Sequence, residues 1–172
     1  ELDVSFRERW IAYWLKLLGV PRQTHYERLE QVRLEFRNIL AAMDYCWLTS
    51  KPDTLIDLVL KMEFYFHITG NWIAWNTYTE LALETAPSLE AERGELAEAN
   101  LSYSLAKLRT SQGDLDIAED LLNKAIKIYR IYKDEEGTAF AIWWLGSIQS
   151  DRGDLVAARR SQNKALRIAR RL

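Results

Sequence analysis

Helix breakers are scarce in this chain. Seven glycines and three prolines among 172 residues are about half of average usage. With Ala, Leu, Glu, Arg and Lys abundant, that scarcity predicts an all-α fold. The single cysteine, Cys46, excludes an intrachain disulfide. The longest unbroken apolar run, Ala139 to Gly146, is eight residues, against ~20 needed to cross a bilayer, so no membrane span is predicted. No glycine-rich loop ending in Gly-Lys-Ser/Thr occurs, so no triphosphate cradle is present. Neither charge sign dominates: 23 Lys and Arg face 25 Asp and Glu, a net charge of −2, which argues against nucleic acid as a partner. An apolar content of 48% and a charged content of 28% exclude disorder and collagen-like repeats, and the length predicts one folded unit. The amino terminus, Glu-Leu-Asp-Val, lacks the basic and apolar regions of a signal peptide, so the expected location is the reducing cytoplasm. Opening at Glu1 without methionine and stopping within a basic helix at Leu172, the sequence reads as a piece of a longer protein.

What the chain has is an internal repeat. Gly113 to Ile128 laid over Gly153 to Ile168, an offset of 40, gives eight identities in sixteen positions, where average composition gives roughly one. They are Gly113/Gly153, Asp114/Asp154, Leu115/Leu155, Ala118/Ala158, Asn123/Asn163, Lys124/Lys164, Ala125/Ala165 and Ile128/Ile168. Upstream, Tyr103 falls on Trp143, Leu105 on Leu145 and Leu108 on Ile148. A weaker copy 43 residues earlier aligns Gly70, Asn71, Trp72 and Ala82 with Gly113, Asp114, Leu115 and Ala125. Within each copy the apolar residues recur at helical spacing, as in Leu101, Leu105, Leu108 and then Leu115, Ala118, Leu122, Ala125, Ile128, so each copy is two helices. Gly70, Gly113 and Gly153 are placed to close one helix in the left-handed conformation, and Asn71, Asp114 and Asp154 to cap the next. A turn this short makes the pair antiparallel. Ala118, Ala125, Ala158 and Ala165 put small residues on one face of the second helix, where a neighbour can approach closely.

This pattern resembles the tetratricopeptide repeat family, in a variant of about forty residues. Leu145-Gly146 stands at the family's Leu-Gly step, Gly153 at its turn, and Ala158 and Ala165 at its two small positions. The preceding copy offers Leu105-Ala106, Gly113, Ala118 and Ala125. The first offers Met62-Glu63, Gly70, Trp75 and Ala82, with Pro87 at the family's proline; Trp75 departs from the pattern, a large ring at a small position. The resemblance implies a right-handed α-α superhelix of about four antiparallel helix pairs. Repeats would span about 55–89, 98–132 and 138–172 within residues 51–172, behind a helical cap or connector over residues 1–50.

In that first block, Ser5 with Glu8 and Thr24 with Glu27 read as capping boxes opening two helices, the first stopped by Gly19 and Pro21 and the second running to about Leu48. The segment Arg7 to Leu15, with Leu29-Glu30 and Phe36-Arg37-Asn38-Ile39-Leu40-Ala41-Ala42-Met43, is similar to the connector that precedes the repeat sensor in STAND-type (AfsR-like and LuxR-like, NB-ARC-containing) bacterial regulators. Ile39 and Leu40 stand where those relatives have a Leu-Arg pair. The resemblance implies a sensor or regulatory module of a larger signal-transducing ATPase or transcriptional regulator, its ATPase outside this chain.

Catalytic chemistry is not legible. His25 and His67 lack a ligand partner at metal spacing, so no metal is expected; no cofactor motif occurs either. Cys46, beside Trp47 and without a basic partner, reads as buried filler. Glu90/Glu92 and Glu135/Glu136 lie at helix starts, where the dipole favours acids. A non-enzymatic binding module is expected. By the resemblance, the first helices of successive pairs line a concave groove. Its positions fall on Leu60, Phe64 and His67, on Asn100, Tyr103 and Lys107, and on Phe140, Trp143, Ser147 and Asp151. That mixture of aromatic anchors with a few polar groups suits a protein or peptide partner, or a small-molecule inducer. The rival reading is a scaffold that self-associates through apolar edges, since solenoids need polar end caps. From Leu155 onward there are six basic residues and no acid. Contact with an acidic partner and a solvated face are both open, and the overall charge favours the solvated face.

Overall fold

The computed structural model of the chain describes residues 4–19 and 25–172, with side chains from Arg7 to Gly19 and from Leu29 onward. Eight α-helices follow one another, and no strand occurs among the described residues. They are α1 (Val4–Leu18), α2 (His25–Leu48), α3 (Pro52–Thr69), α4 (Trp72–Thr85), α5 (Ala91–Gln112), α6 (Leu115–Ile131), α7 (Glu135–Asp151) and α8 (Leu155–Ala169), with a 3₁₀ turn at Ala86–Ser88. The fold is all-α and built from helix pairs, as the periodicity predicts. Where length alone predicts one unit, packing divides the chain into two, Glu1–Thr85 and Ala86–Leu172. The reason is that a helix hairpin buries its face on its sequence neighbours and little else.

Every described helix-to-helix turn from α2 onward, except that between α4 and α5, closes in the same way. Gly70, Gly113 and Gly153 take φ of 67°, 85° and 83°. The next residue's N–H reaches back to the carbonyl five residues earlier: Asn71 to Phe66 at 3.2 Å, Asp114 to Arg109 at 2.9 Å, Asp154 to Gln149 at 2.9 Å. This is the left-handed closure expected of these glycines. Two further turns use it without glycine. Ser50 and Lys133 have φ of 52° and 55°, with Lys51 N–H to Cys46 O and Asp134 N–H to Tyr129 O. The caps match the expectation in part. Asp154 accepts from Ala157 N–H at 2.9 Å, whereas the Asp114 side chain makes no cap bond and the Asn71 amide donates to Thr69 Oγ1. Asp134 caps α7 through Gly137 N–H at 2.7 Å. Ser5 lies inside α1 rather than before it, and Glu8 pairs with Lys51 at 3.0 Å instead of serving a capping box. The Thr24/Glu27 box lies outside the described side chains.

In the first unit, Ile39, Met43 and Cys46 of α2, Leu55, Leu58, Met62 and Phe66 of α3, and Trp75 of α4 are fully buried. Phe36 of α2 packs its ring 5.3 Å from Tyr65 and 6.2 Å from Phe66. Tyr78 of α4 donates its hydroxyl to Asp44 of α2 at 2.8 Å. In the second unit one cluster joins Ala99 and Ala106 (α5), Ala118, Leu122, Ala125 and Tyr129 (α6), Ala141, Ile142 and Ile148 (α7), and Ala165 (α8). The alanines at the small positions are buried, as is Gly146, where a Cβ would lie 3.2 Å from the Ala158 carbonyl oxygen and 3.0 Å from Gln162 Cγ. The Leu-Gly step thus lets α7 and α8 touch backbone to backbone. α7 is latched to α6 at its far end, where Arg152 is gripped by Asp116 and Glu119.

Candidate functional site: the first-helix faces and the α7/α8 cleft

Phe64 and His67 lie on α3 in the first unit. Phe64 is half-buried; His67 is exposed in the last turn and meets the Trp75 ring edge-on, 5.8 Å between centroids. The histidine therefore sits on a buried aromatic, with its other edge open.

The other site residues lie in the second unit, on α5 and α7. Lys107 holds its ammonium 4.7 Å over the Tyr103 ring and 5.9 Å from the Trp144 ring. Residues four apart share a helix face, so this contact follows from spacing within α5. Trp143 and Trp144 stand 5.5 Å apart, and the Trp144 indole N–H donates to Thr110 Oγ1 of α5 at 3.2 Å. Tyr103, Lys107, Trp144 and Trp143 thus form a ladder of rings and one cation across two helices. Trp144 is the member that sequence spacing missed, because it falls one residue off the first-helix stripe and only packing brings it to Lys107. Asn100 is engaged: its side-chain oxygen accepts from the buried Tyr129 hydroxyl at 2.8 Å. Ser147 is half-buried on α7, one turn beyond Trp143.

Phe140 and Trp143 are 42% and 45% exposed, and they wall a cleft between α7 and α8 of about 620 Å³. Its floor is Ala139 and Ala165, its other wall Leu166 and Ala169, with Glu136 at its rim. The two aromatics therefore face α8 as well as the ladder.

Titration outside these faces is structural. Burial pushes the Cys46 thiol up to about 11, with Lys51 acting weakly against it, which makes a thiolate nucleophile scarce at neutral pH. Burial, then the bond to Asp44, raises Tyr78. Among the described residues no group of three His, Cys, Asp or Glu could hold a metal ion, and no helix is long and apolar enough to cross a membrane.

The tetratricopeptide repeat family model matches residues 92–171, which run from the start of α5 through α8 and take in the ladder and the cleft. The match supports a tetratricopeptide repeat domain over the second unit, of a kind that generally serves as a protein-interaction module. No curated protein matches the chain significantly.

Proposed function

We propose that the chain is a non-enzymatic, peptide- or protein-binding repeat module whose working surface in the second unit is the face carrying Tyr103, Lys107 and Trp143. The observation that carries this reading is the Lys107 ammonium held over Tyr103 beside the Trp144–Trp143 pair. A cation braced by rings binds a carboxylate or carbonyl, and a half-exposed indole offers the apolar anchor that dominates binding energy at interfaces. In this reading residues 1–50 are a cap or connector, and the helix pairs over residues 51–172 are the three repeats. Phe64 and His67 extend the same kind of surface onto the first unit. The similarity of Arg7 to Met43 to the connector of STAND-type regulators supports a cytoplasmic sensor or regulatory role in a larger signal-transducing ATPase or transcriptional regulator, answering a partner or small inducer.

A displayed peptide library panned on the 172-residue chain tests the reading. Selected peptides should lose at least about tenfold in affinity with Tyr103→Ala plus Trp143→Ala while circular dichroism stays helical. A library that yields no binder, or binders indifferent to this pair, defeats it.

A further inference from the structure

The repeat makes the α7/α8 cleft legible, because the same surface exists one copy earlier. At an offset of 40, Ala139, Trp143, Ala165 and Leu166 correspond to Ala99, Tyr103, Ala125 and Ile126. On α5 and α6 those positions are covered. Ala99 and Ala125 are fully buried and Ile126 is 5% exposed, in one cluster with Ala141 and Ile142 of α7. On α7 and α8 the same positions are open, with Trp143 at 45% and Leu166 at 47% exposure. The cleft is thus the seat that α7 fills on the preceding pair.

Two differences between the seats specify what fits the open one. At one end, the α7 backbone lies against Tyr129, where a Cβ on Gly137 would come within 2.8 Å of the ring. The equivalent of Tyr129 is Ala169, so space replaces the ring and an occupant can carry a large apolar side chain where α7 must carry glycine. At the other end, α7 is fastened by Arg152 to Asp116 and Glu119. The equivalents on α8 are Val156 and Arg159, followed by Arg160 where α6 has Asp120. The charge of the fastening point is inverted, so an arginine there is repelled and an acid is held.

We propose that this cleft docks an amphipathic helix of a partner protein, running as α7 runs on α6, with a large apolar residue in its first turns over Ala169 and an acidic last turn over Arg159. The proposal rests on the reading of the chain as an interaction module but places a second partner contact on a different face from Lys107. A second copy of the chain is disfavoured as occupant, since pairing this face with itself opposes two helices that carry six basic residues and no acid each.

The probes are two labelled synthetic peptides with the sequence of residues 134–152, both carrying Leu for Gly137, one ending in Arg and the other in Glu at the place of Arg152. Titrated against the 172-residue chain and followed by fluorescence anisotropy, the Glu peptide should bind at least about fivefold more tightly than the Arg peptide at low salt. Arg159→Glu, a change at an exposed position, should reverse that order, and Leu166→Asp should abolish binding of both. Lys107→Ala should leave both affinities within about twofold. Equal affinities, or an order that Arg159→Glu does not reverse, would overturn the proposal. So would sedimentation showing a dimer that Leu166→Asp dissolves, because the occupant is then a second copy. Library peptides that bind the Lys107 face while both probes fail defeat this proposal and leave the module reading standing; a chain that binds neither class defeats both.

Discussion

The ammonium of Lys107 stands 4.7 Å above the ring of Tyr103, one turn away on the same helix. Neither side chain is buried, so the pair holds its geometry at the surface, where a cation over an aromatic face contributes ~0.5–1 kcal/mol. A double-mutant cycle with Lys107→Met and Tyr103→Leu, read by urea denaturation, should give a coupling of that size. A coupling near zero would mean that the cation does not hold this position in solution.

The turn glycines differ from ordinary glycines in how their replacement acts. Nothing lies within 4 Å of a Cβ placed on Gly153, yet its φ is 83°. The cost of Gly153→Val is therefore backbone strain alone, ~1–2 kcal/mol, with Gly153→Asn costing clearly less because asparagine tolerates this region. Equal midpoints for Gly153→Val and the parent would refute the left-handed closure.

Lys133 presents the converse case, a non-glycine residue at φ 55° in the turn between α6 and α7. Lys133→Gly should relieve strain and raise stability by about 0.5–1 kcal/mol, net of the added freedom of the unfolded chain. Thermal unfolding of the two forms side by side checks it.

Packing at the small positions should fail in opposite directions. Ala125 is fully buried at the centre of the α5–α8 cluster, so Ala125→Leu overpacks it at a cost of ~1–3 kcal/mol. Trp75, fully buried at the matching position of the first pair, should cost ~3–5 kcal/mol on truncation to Ala by leaving a cavity. Denaturant midpoints with unchanged slopes measure both.

Cys46 supplies a pH dependence with a definite sign. Burial raises its thiol from 9.0 to about 11, so the unfolded chain loses this proton first as pH rises. The contribution is fully present below pH 9 and is lost as pH climbs from 9 to 11, on the order of 2 kcal/mol. Cys46→Ala should flatten that part of the stability profile, and a thiol reagent at pH 8 should react only on unfolding.

Much of the fold was open to reading because helix pairs of this kind are specified locally. The apolar spacing of Leu101 to Ile128, the glycines at 70, 113 and 153 and the alanines at 118, 125, 158 and 165 each act within one pair or on its neighbour. Capping was less legible. Asp114 and Asp154 occupy the same place in two copies, yet only Asp154 bonds the helix N-terminus, since a side-chain rotamer is chosen by its surroundings as well as by its residue type. The candidate site divides in the same way. Tyr103 and Lys107 meet by helical spacing, while Asn100 is drawn to Tyr129 from a helix 29 residues away in sequence.

By itself, then, the sequence determined the class of structure, the two-helix period, the left-handed closures at glycine and the close approach of α7 to α8 at Gly146, because all of these depend on residue type at short range. Only the tertiary structure decided that the chain packs as two units, that Trp144 joins Lys107, that Ser50 and Lys133 accept a conformation usually left to glycine, and that one copy's seat is filled while the other's is open. Those outcomes turn on which surface finds a helix to cover it, and no spacing within a single repeat encodes that.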